Sequence, residues 1–256
     1  MNMIPKKLHY CWLGKNEKPA LIKRCIESWK KYLPDFELIE WNEENFDVVN
    51  SNEFVKRNYS KKHYANVSDY IRAYAIYTQG GIYLDTDCEI IRNLDDLLCY
   101  EAFAGMERDY IANSLFGAVA GHPWMEKILK YYQGITYEIG GNAEIIGPYV
   151  STLIAEEHGF RKENVHQDLN NGVHIYPSEY FTPMNWGDYK ITLTRNTYAI
   201  HHFNASWVSL DIRCNFLESH IVSLLKTIDD LMVENTHLKE SLALITNICD
   251  TSRQET

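Results

Sequence analysis

Two aspartates separated by a single residue, Asp85 and Asp87, close the run Gly80-Gly81-Ile82-Tyr83-Leu84-Asp85-Thr86-Asp87. An apolar segment leaves a glycine pair and stops at two charges. Inside a half-buried strand an unpaired carboxylate is costly, because burial strips its hydration. At the carboxyl end of a strand in an open α/β sheet the pair becomes useful, since ligand crevices open there. Two carboxylates so spaced can lean toward one hard cation and leave it free to hold phosphate oxygens. The chemistry this predicts is that of an activated diphosphate. As a bare triplet, Asp-Thr-Asp is a weak signal and reads more readily as a solvated turn. Its context, an apolar strand after glycines and a helix carrying further charges, favours the site.

Other residues of suitable type lie around that run. Asp69 and Arg72 sit three apart on a predicted helix and share a face. They can reach sugar hydroxyls and phosphate, or they form an ion pair on a wet surface. Trp12 ends the first predicted strand, where it can stack on a flat base or pack in the core. Tyr83 can turn its hydroxyl to a ribose or phosphate, or be a satisfied core tyrosine. The late segment His201-His202-Phe203-Asn204-Ala205-Ser206-Trp207 offers imidazole, a good manganese ligand. If that segment is extended, only one of the adjacent histidines faces inward. Ser206 and Trp207 are candidates for a lid over phosphate. Asn113, Asn142 and Pro148 are weaker candidates, and His122 and His174 are read as structural.

These residues need elements to hold them. Lys7–Leu13 reads as a strand between Pro5 and Gly14, Ala20–Tyr32 as a helix stopped by Pro34, and Phe36–Trp41 as a second strand. That is a β-α-β opening, the unit of a parallel sheet. His63–Gln79 has one apolar face, through Val67, Tyr70, Ile71, Tyr74, Ala75 and Thr78, and Gly80-Gly81 ends it. Strands are expected at Ile82–Leu84, Glu89–Ile91, Phe103–Met106, Asn113–Ala120, His174–Tyr176 and Ala199–Phe203. Helices are expected at Trp124–Tyr132, Pro148–His158 and His220–Val233, with another from Leu238 to Ile248. No repeat or low-complexity linker breaks the 256 residues, so one mixed α/β domain with added helices is expected.

Composition narrows the class. The chain is 45% hydrophobic and 23% charged, which is ordinary for a globular protein. Its formal charge of -10 argues against a nucleic-acid partner. A nucleotide held through a cation remains compatible, because the metal bridges two negative partners. The six cysteines show no CxxC and no zinc spacing, and are read as reduced thiols in a cytoplasmic protein. No secretory leader and no run of membrane-spanning length is expected, which leaves room for peripheral contact at the inner face of a membrane. An aspartyl phosphatase would want Asp-x-Asp-x-Thr, whereas Asp87 is followed by Cys88-Glu89. A carbohydrate-binding module without turnover is a second rival.

The motifs combine into a resemblance. Ile4 to Gly14, Ser28-Trp29 with Pro34-Asp35 and Trp41-Asn42, Ala65 to Arg72, and Gly80 to Asp87 resemble bacterial capsular-polysaccharide glycosyltransferases with a DXD sugar-binding region. These form glycosyltransferase family 32, related to fungal α-1,6-mannosyltransferases. The likeness is strongest over residues 4–100. Beyond that it rests on Asn113, Gly121-His122-Pro123, Gly147-Pro148, and His202 with Ser206-Trp207. Such proteins are similar to the catalytic domains of clostridial glucosylating toxins. The resemblance implies a single GT-A domain over residues 1–256, with a Rossmann-like mixed sheet. Residues 1–100 would form the nucleotide-sugar half, and 101–256 the acceptor half with C-terminal helices. It implies base stacking by Trp12, donor-sugar binding by Asp69 and Arg72, and donor contact by Tyr83. Asp85 would face ribose and sugar, and Asp87 would ligate the metal. Ser206 and Trp207 would close over the diphosphate, and His202 would complete the metal site. The implied reaction is retaining transfer of a glycosyl group, with Mn2+ or Mg2+. The expected donor is a UDP-sugar, with GDP-mannose as the alternative. The expected acceptor is a saccharide, lipid-linked or free, in surface polysaccharide.

Overall fold

In the computed structural model the strand β3 (Gly81–Leu84) shows how the layers are built. Its side chains alternate, as a strand demands. Ile82 and Leu84 enter one buried cluster with Leu8, Trp29 and Leu97. Tyr83 enters the opposite cluster, with Val67, Ile71 and Phe116. Both faces of the sheet are therefore covered, the expected state for strands joined by crossover helices. The structure describes residues 3–135, 146–184 and 190–204, and then 221–222, 225–226, 228–229, 231–239 and 242.

The chain divides into two compact units, Met1–Met184 with Ile191–Trp207, and Asn185–Lys190 with Val208–Thr256. In the first, β1 (Lys7–Cys11), α1 (Ala20–Tyr32) and β2 (Glu37–Trp41) form the expected opening, and β1 pairs parallel with both β2 and β3. Then come α2 (Glu53–Ser60), α3 (Tyr64–Gln79), β4 (Cys88–Ile90), β5 (Ala102–Glu107) and β6 (Tyr110–Ala118). They are followed by α4 (Pro123–Gln133), α5 (Ile146–Glu156), β7 (Gln167–Asp168), β8 (Val173–Tyr176) and β9 (Ala199–His201). The main sheet has seven strands in the order β2-β1-β3-β6-β5-β8-β7. β6 runs antiparallel between β3 and β5, and β8 returns parallel to β5. This is the α/β, Rossmann-like mixed sheet expected of a GT-A chain. β4 and β9 form a separate two-stranded antiparallel sheet. Among the described residues, no helix is long and apolar enough to cross a membrane.

The α3–β3 junction needs its two glycines. Gly80 and Gly81 have φ of 64° and 118°, a region that penalises any Cβ. A Cβ on Gly81 would lie 2.6 Å from the Lys7 carbonyl of the neighbouring strand. The Gly80 carbonyl accepts from His9 Nε2 at 2.9 Å, while His9 Nδ1 accepts from the Trp41 indole N–H at 3.0 Å. These two bonds select the neutral Nε2–H tautomer. A second ring proton would face the Trp41 N–H, donor against donor.

Burial holds His9 down to about 4, from an ordinary 6.5. As pH falls, the unfolded chain therefore binds this proton first. The stability His9 contributes is complete above pH 6.5 and drains away as pH falls toward 4. The span of the shift corresponds to about 3 kcal/mol. Thermal unfolding between pH 7 and 4 checks this. The wild type should lose midpoint steeply, and the His9→Gln difference from wild type should shrink as the pH falls.

Candidate functional site

The site assembles where β3 stops. The Asp85 amide donates to the Ser114 carbonyl of β6 at 2.8 Å, and the Cys88 amide donates to the Asp85 carbonyl at 2.9 Å. The chain thus turns tightly through Asp85-Thr86-Asp87 before β4. β1 pairs in parallel register with β3, Leu8 to Ile82 and His9 to Tyr83, and Cys11 at its end lies within electrostatic reach of Asp85. Trp12 follows, half-buried at the end of β1. Its indole N–H donates to the Asn16 carbonyl at 2.7 Å, and the Lys18 ammonium stands 5.5 Å from the ring centre. One ring edge is thus anchored, with a cation over the ring.

Arg72 is the organiser. Its side chain is only 7% exposed, yet it is fully engaged. The Nη1 group donates to the Asn113 carbonyl at 2.7 Å, Nε to the Ser68 carbonyl at 3.2 Å, and Nη2 to Ser68 Oγ at 3.0 Å. Nη2 also lies 3.2 Å from Asp69 Oδ1 and 3.2 Å from Asp85 Oδ1. The guanidinium sits 4.7 Å above the centre of the Tyr83 ring, and the Tyr83 hydroxyl donates to Asp85 Oδ1 at 3.2 Å. The Asp69–Arg72 pair is thus neither a wet surface bridge nor a free ligand set. It is a buried clamp joining helix α3 to the end of β3. Tyr83 is 1% exposed, so it orients Asp85 from behind.

The two sides of this clamp differ electrostatically. Burial pushes Asp69 up to about 6, against the pull of Arg72. Its carboxylate accepts from the Gly147 amide at the start of α5, where a helix terminus favours negative charge. A Cβ on Gly147 would stand 2.6 Å from Asp69 Oδ1 and 2.6 Å from Asn113 Nδ2, so only glycine allows this approach. Asn113 Oδ1 accepts from Ser151 Oγ at 2.8 Å, which ties α5 to the same cluster. Pro148 lies in α5 beside Gly147. Burial also raises Asp85, opposed by Arg72 and reinforced by Asp87.

Asp87 belongs to a second set. His201 Nε2 is 3.4 Å from Asp87 Oδ1, and the Asn204 amide donates to Asp87 Oδ2 at 2.8 Å. Burial works against charge on Asp87, but His201 and the Asn204 amide win and hold it at about 2. His201 resists burial in turn: Asp87 first, then Glu107 at 3.9 Å and Asp85, lift it to about 9. One ligand atom from each of Asp85, Asp87 and His201 lies within 4.8 Å of the others. Two oxygens and a nitrogen at that spacing fit one manganese- or magnesium-sized cation. His201 Nδ1 is buried with no hydrogen-bond partner, a second sign that the set is built for a group beyond the protein's own.

His202, expected to complete the metal site, points elsewhere: its Nε2 is 2.8 Å from Glu89 Oε2. The reason is register. β9 pairs antiparallel with β4, Cys88 opposite His201, and alternate residues face opposite sides. His201 therefore falls on the carboxylate side. Glu107 and Asn204 also join the cluster without having been candidates, since nothing local marks either. Ser206, Trp207 and Asn142 lie outside the described residues.

Residues 19–104 match the family model described as a glycosyltransferase sugar-binding region containing a DXD motif. The match takes in Asp69, Arg72, Asp85 and Asp87, the acidic and basic residues of the two sets. It is 30% identical over 131 residues to inositol phosphoceramide mannosyltransferase 3 of Schizosaccharomyces pombe, covering 50% of this chain and 36% of that one. It is 29% identical over 140 residues to a mannosyl phosphorylinositol ceramide synthase of Saccharomyces cerevisiae, covering 50% and 35%. The chain thus spans little more than a third of the length of these curated relatives. Among solved structures it is similar to the PaToxG glycosyltransferase, with TM-score 0.47, 18% identity and 61% of this chain against 69% of that one. It is also similar to a glycosyltransferase that modifies the major capsid of PBCV-1, with TM-score 0.44, 9% identity and coverage of 86% and 100%.

Proposed function

We propose that this chain is a metal-dependent glycosyltransferase that moves a hexosyl group from a nucleoside diphosphate sugar to a saccharide hydroxyl. The observation that carries the reading is the junction of two sets at the end of β3. The clamp of Asp69, Arg72 and Asp85 abuts the cluster of Asp85, Asp87 and His201. One set suits a sugar and its hydroxyls, the other a cation with a diphosphate. Asp85 belongs to both, which supports a reading with the sugar–phosphate bond between them.

Asp87, Asp85 and His201 would hold the cation. When bound, it supplies positive charge to stabilise the departing diphosphate. The chain's own residues do the rest. Asp69 accepts from sugar hydroxyls, and Arg72 fixes Asp69 and Asp85 while lending positive charge to the phosphate side. Trp12 offers its ring to the base. Among the described residues, the further carboxylate that reaches this cluster is Glu107, and it faces His201. A front-side, retaining transfer is therefore our reading, with electrostatic stabilisation as its largest contribution.

A mannosyl donor is favoured by the names of the curated relatives, and GDP-mannose is then the reactive form. A UDP-hexose is the other reading, from the likeness to the glucosylating toxins. The acceptor is proposed to be a surface-polysaccharide saccharide, reached from the cytoplasmic face of a membrane. A panel of UDP-glucose, UDP-galactose, UDP-N-acetylglucosamine and GDP-mannose, each with and without Mn2+, decides the donor. One donor should raise the thermal midpoint and be slowly hydrolysed, only when metal is present. Equal stabilisation by every nucleotide without metal, and no hydrolysis, would reject the enzyme in favour of a binding protein.

A further inference from the structure

The second unit carries a pattern that sugar transfer leaves unused. Residues 231–239 are helical, as are 221–222, 225–226 and 228–229 before them. Large apolar side chains on these residues face solvent: Ile221 is 53% exposed, Ile228 51%, Leu231 57% and Leu238 63%. These four fall on one heptad, while Val222, Leu225, Met232 and Val233, also exposed, lie at its b, e and f positions. Ile221 and Ile228 take the first apolar position, a, and Leu231 and Leu238 take the second, d. Asn235 occupies the next a position after Ile228. In the amino-acid sequence the same spacing continues through Leu224, Leu242 and Ile245. The repeat is sustained for about four heptads, enough to specify a coiled coil. Three independent features then choose among coiled coils.

The first is shape: Ile221 and Ile228 at a with Leu224, Leu231 and Leu238 at d favour two parallel strands, and the order reverses at Leu242 and Ile245. The second is Asn235. A lone asparagine at a costs stability, but it pairs with its counterpart and penalises other registers and larger bundles. The third is charge. In a parallel, in-register pair, each g residue faces the e residue five positions on in the other helix. Glu234 lies at g and Lys239 at e, so each Glu234 meets Lys239 of the second copy. The charges also argue against a lipid surface. Between 221 and 242 the sequence has Asp229, Asp230, Glu234 and Glu240 against Lys226 and Lys239, whereas a helix lying on anionic lipid carries a basic polar face.

We infer that this C-terminal helix is a parallel two-stranded coiled coil that pairs the chain with a second copy of itself. The inference is independent of the donor reading, because it rests on none of the site residues. Its dimer delivers two catalytic units to one polymeric or surface-bound acceptor, where a second contact raises apparent affinity without any new pocket.

Light scattering and sedimentation equilibrium on the full chain test it. Wild type should have twice the chain mass at tens of micromolar. Ile228→Lys with Leu231→Lys should have the mass of one chain, and unchanged near-ultraviolet circular dichroism would show that the sheet unit still folds. Glu234→Lys alone should weaken the dimer about ten-fold, and so should Lys239→Glu alone. Mixing these two variants should restore it, because each supplies the other's missing partner. Asn235→Ile should tighten the association and admit species above the dimer mass beside the dimer, because the asparagine that penalises them is gone. A monomeric wild type would overturn the inference, as would a dimer that survives the two lysines or fails to respond to the charge swap. Flotation of monomeric protein with phosphatidylcholine–phosphatidylglycerol vesicles would also overturn it, assigning the apolar face to lipid.

Discussion

Asp87→Ala is expected to lower metal-dependent turnover of the donor about a thousand-fold while leaving the fold in place. That scale follows from the several kcal/mol a bound cation contributes to charge stabilisation. The asymmetry between the two aspartates explains why Asp87 is the sharper probe. Asp85 also anchors Arg72 and receives the Tyr83 hydroxyl, so its loss unsettles the clamp as well. The side-chain contacts of Asp87, by contrast, run to His201 and the Asn204 amide, both at the cation cluster. Removing its carboxylate lets His201 shed a proton, which limits the cost of breaking the buried pair, so the protein should stay folded with a lower midpoint. Manganese titration by calorimetry, alongside a donor-hydrolysis assay, checks both halves. A variant that keeps wild-type turnover with Mn2+ would sink the metal role of Asp87.

Arg72→Ala should cost both stability and donor binding. Its guanidinium neutralises Asp69 and Asp85 and satisfies the Asn113 and Ser68 carbonyls from a nearly water-free position. Taking away one partner of a buried ion pair costs about 3–5 kcal/mol, because the remaining charges stay buried and uncompensated. For a chain of this length that corresponds to a fall of on the order of 10 °C in thermal midpoint. Arg72→Lys separates charge from geometry. Lysine keeps the positive charge but lacks the planar fork that reaches two carboxylates and two carbonyls at once. It should recover part of the midpoint and little of the donor affinity. An Arg72→Ala protein with unchanged midpoint and unchanged donor affinity would refute the clamp.

Much of this architecture was legible along the chain, for local reasons. Pro19 and Pro34 bracket α1, and the apolar spacing between them sets its inner face. Gly80-Gly81 announced the break between α3 and β3, because only glycine tolerates the positive φ needed there. Asp85 and Asp87 stood out because charges so placed after an apolar run need a purpose. Weaker signals faded. The short edge strand β7, Gln167–Asp168, has too few residues for alternation to show. Thr78, assigned to the apolar face of α3, is exposed and gives its hydroxyl to the Tyr74 carbonyl.

The histidine pair marks the boundary of what local pattern can do. Alternation says that one of His201 and His202 faces the carboxylates, but not which one. That depends on the register of β9 against β4, set by strand pairing across more than a hundred residues. Glu107 reaches His201 in the same way, from the end of β5, with no motif around it. The Asp69–Arg72 pair is similar. Sequence put the two on one helical face, and helical geometry alone guarantees it. Whether that face is wet or buried is a matter of what packs on it, and the Asn113 segment of β6 with Gly147 of α5 supplies the answer. The sequence by itself determined the α/β order of elements, the strand-end carboxylates and the glycines that admit them, because each follows from nearest-neighbour sterics and period. Only the tertiary structure decided which histidine joins them and that Arg72 is a buried clamp, because pairing register and desolvation are properties of residues far apart in the chain.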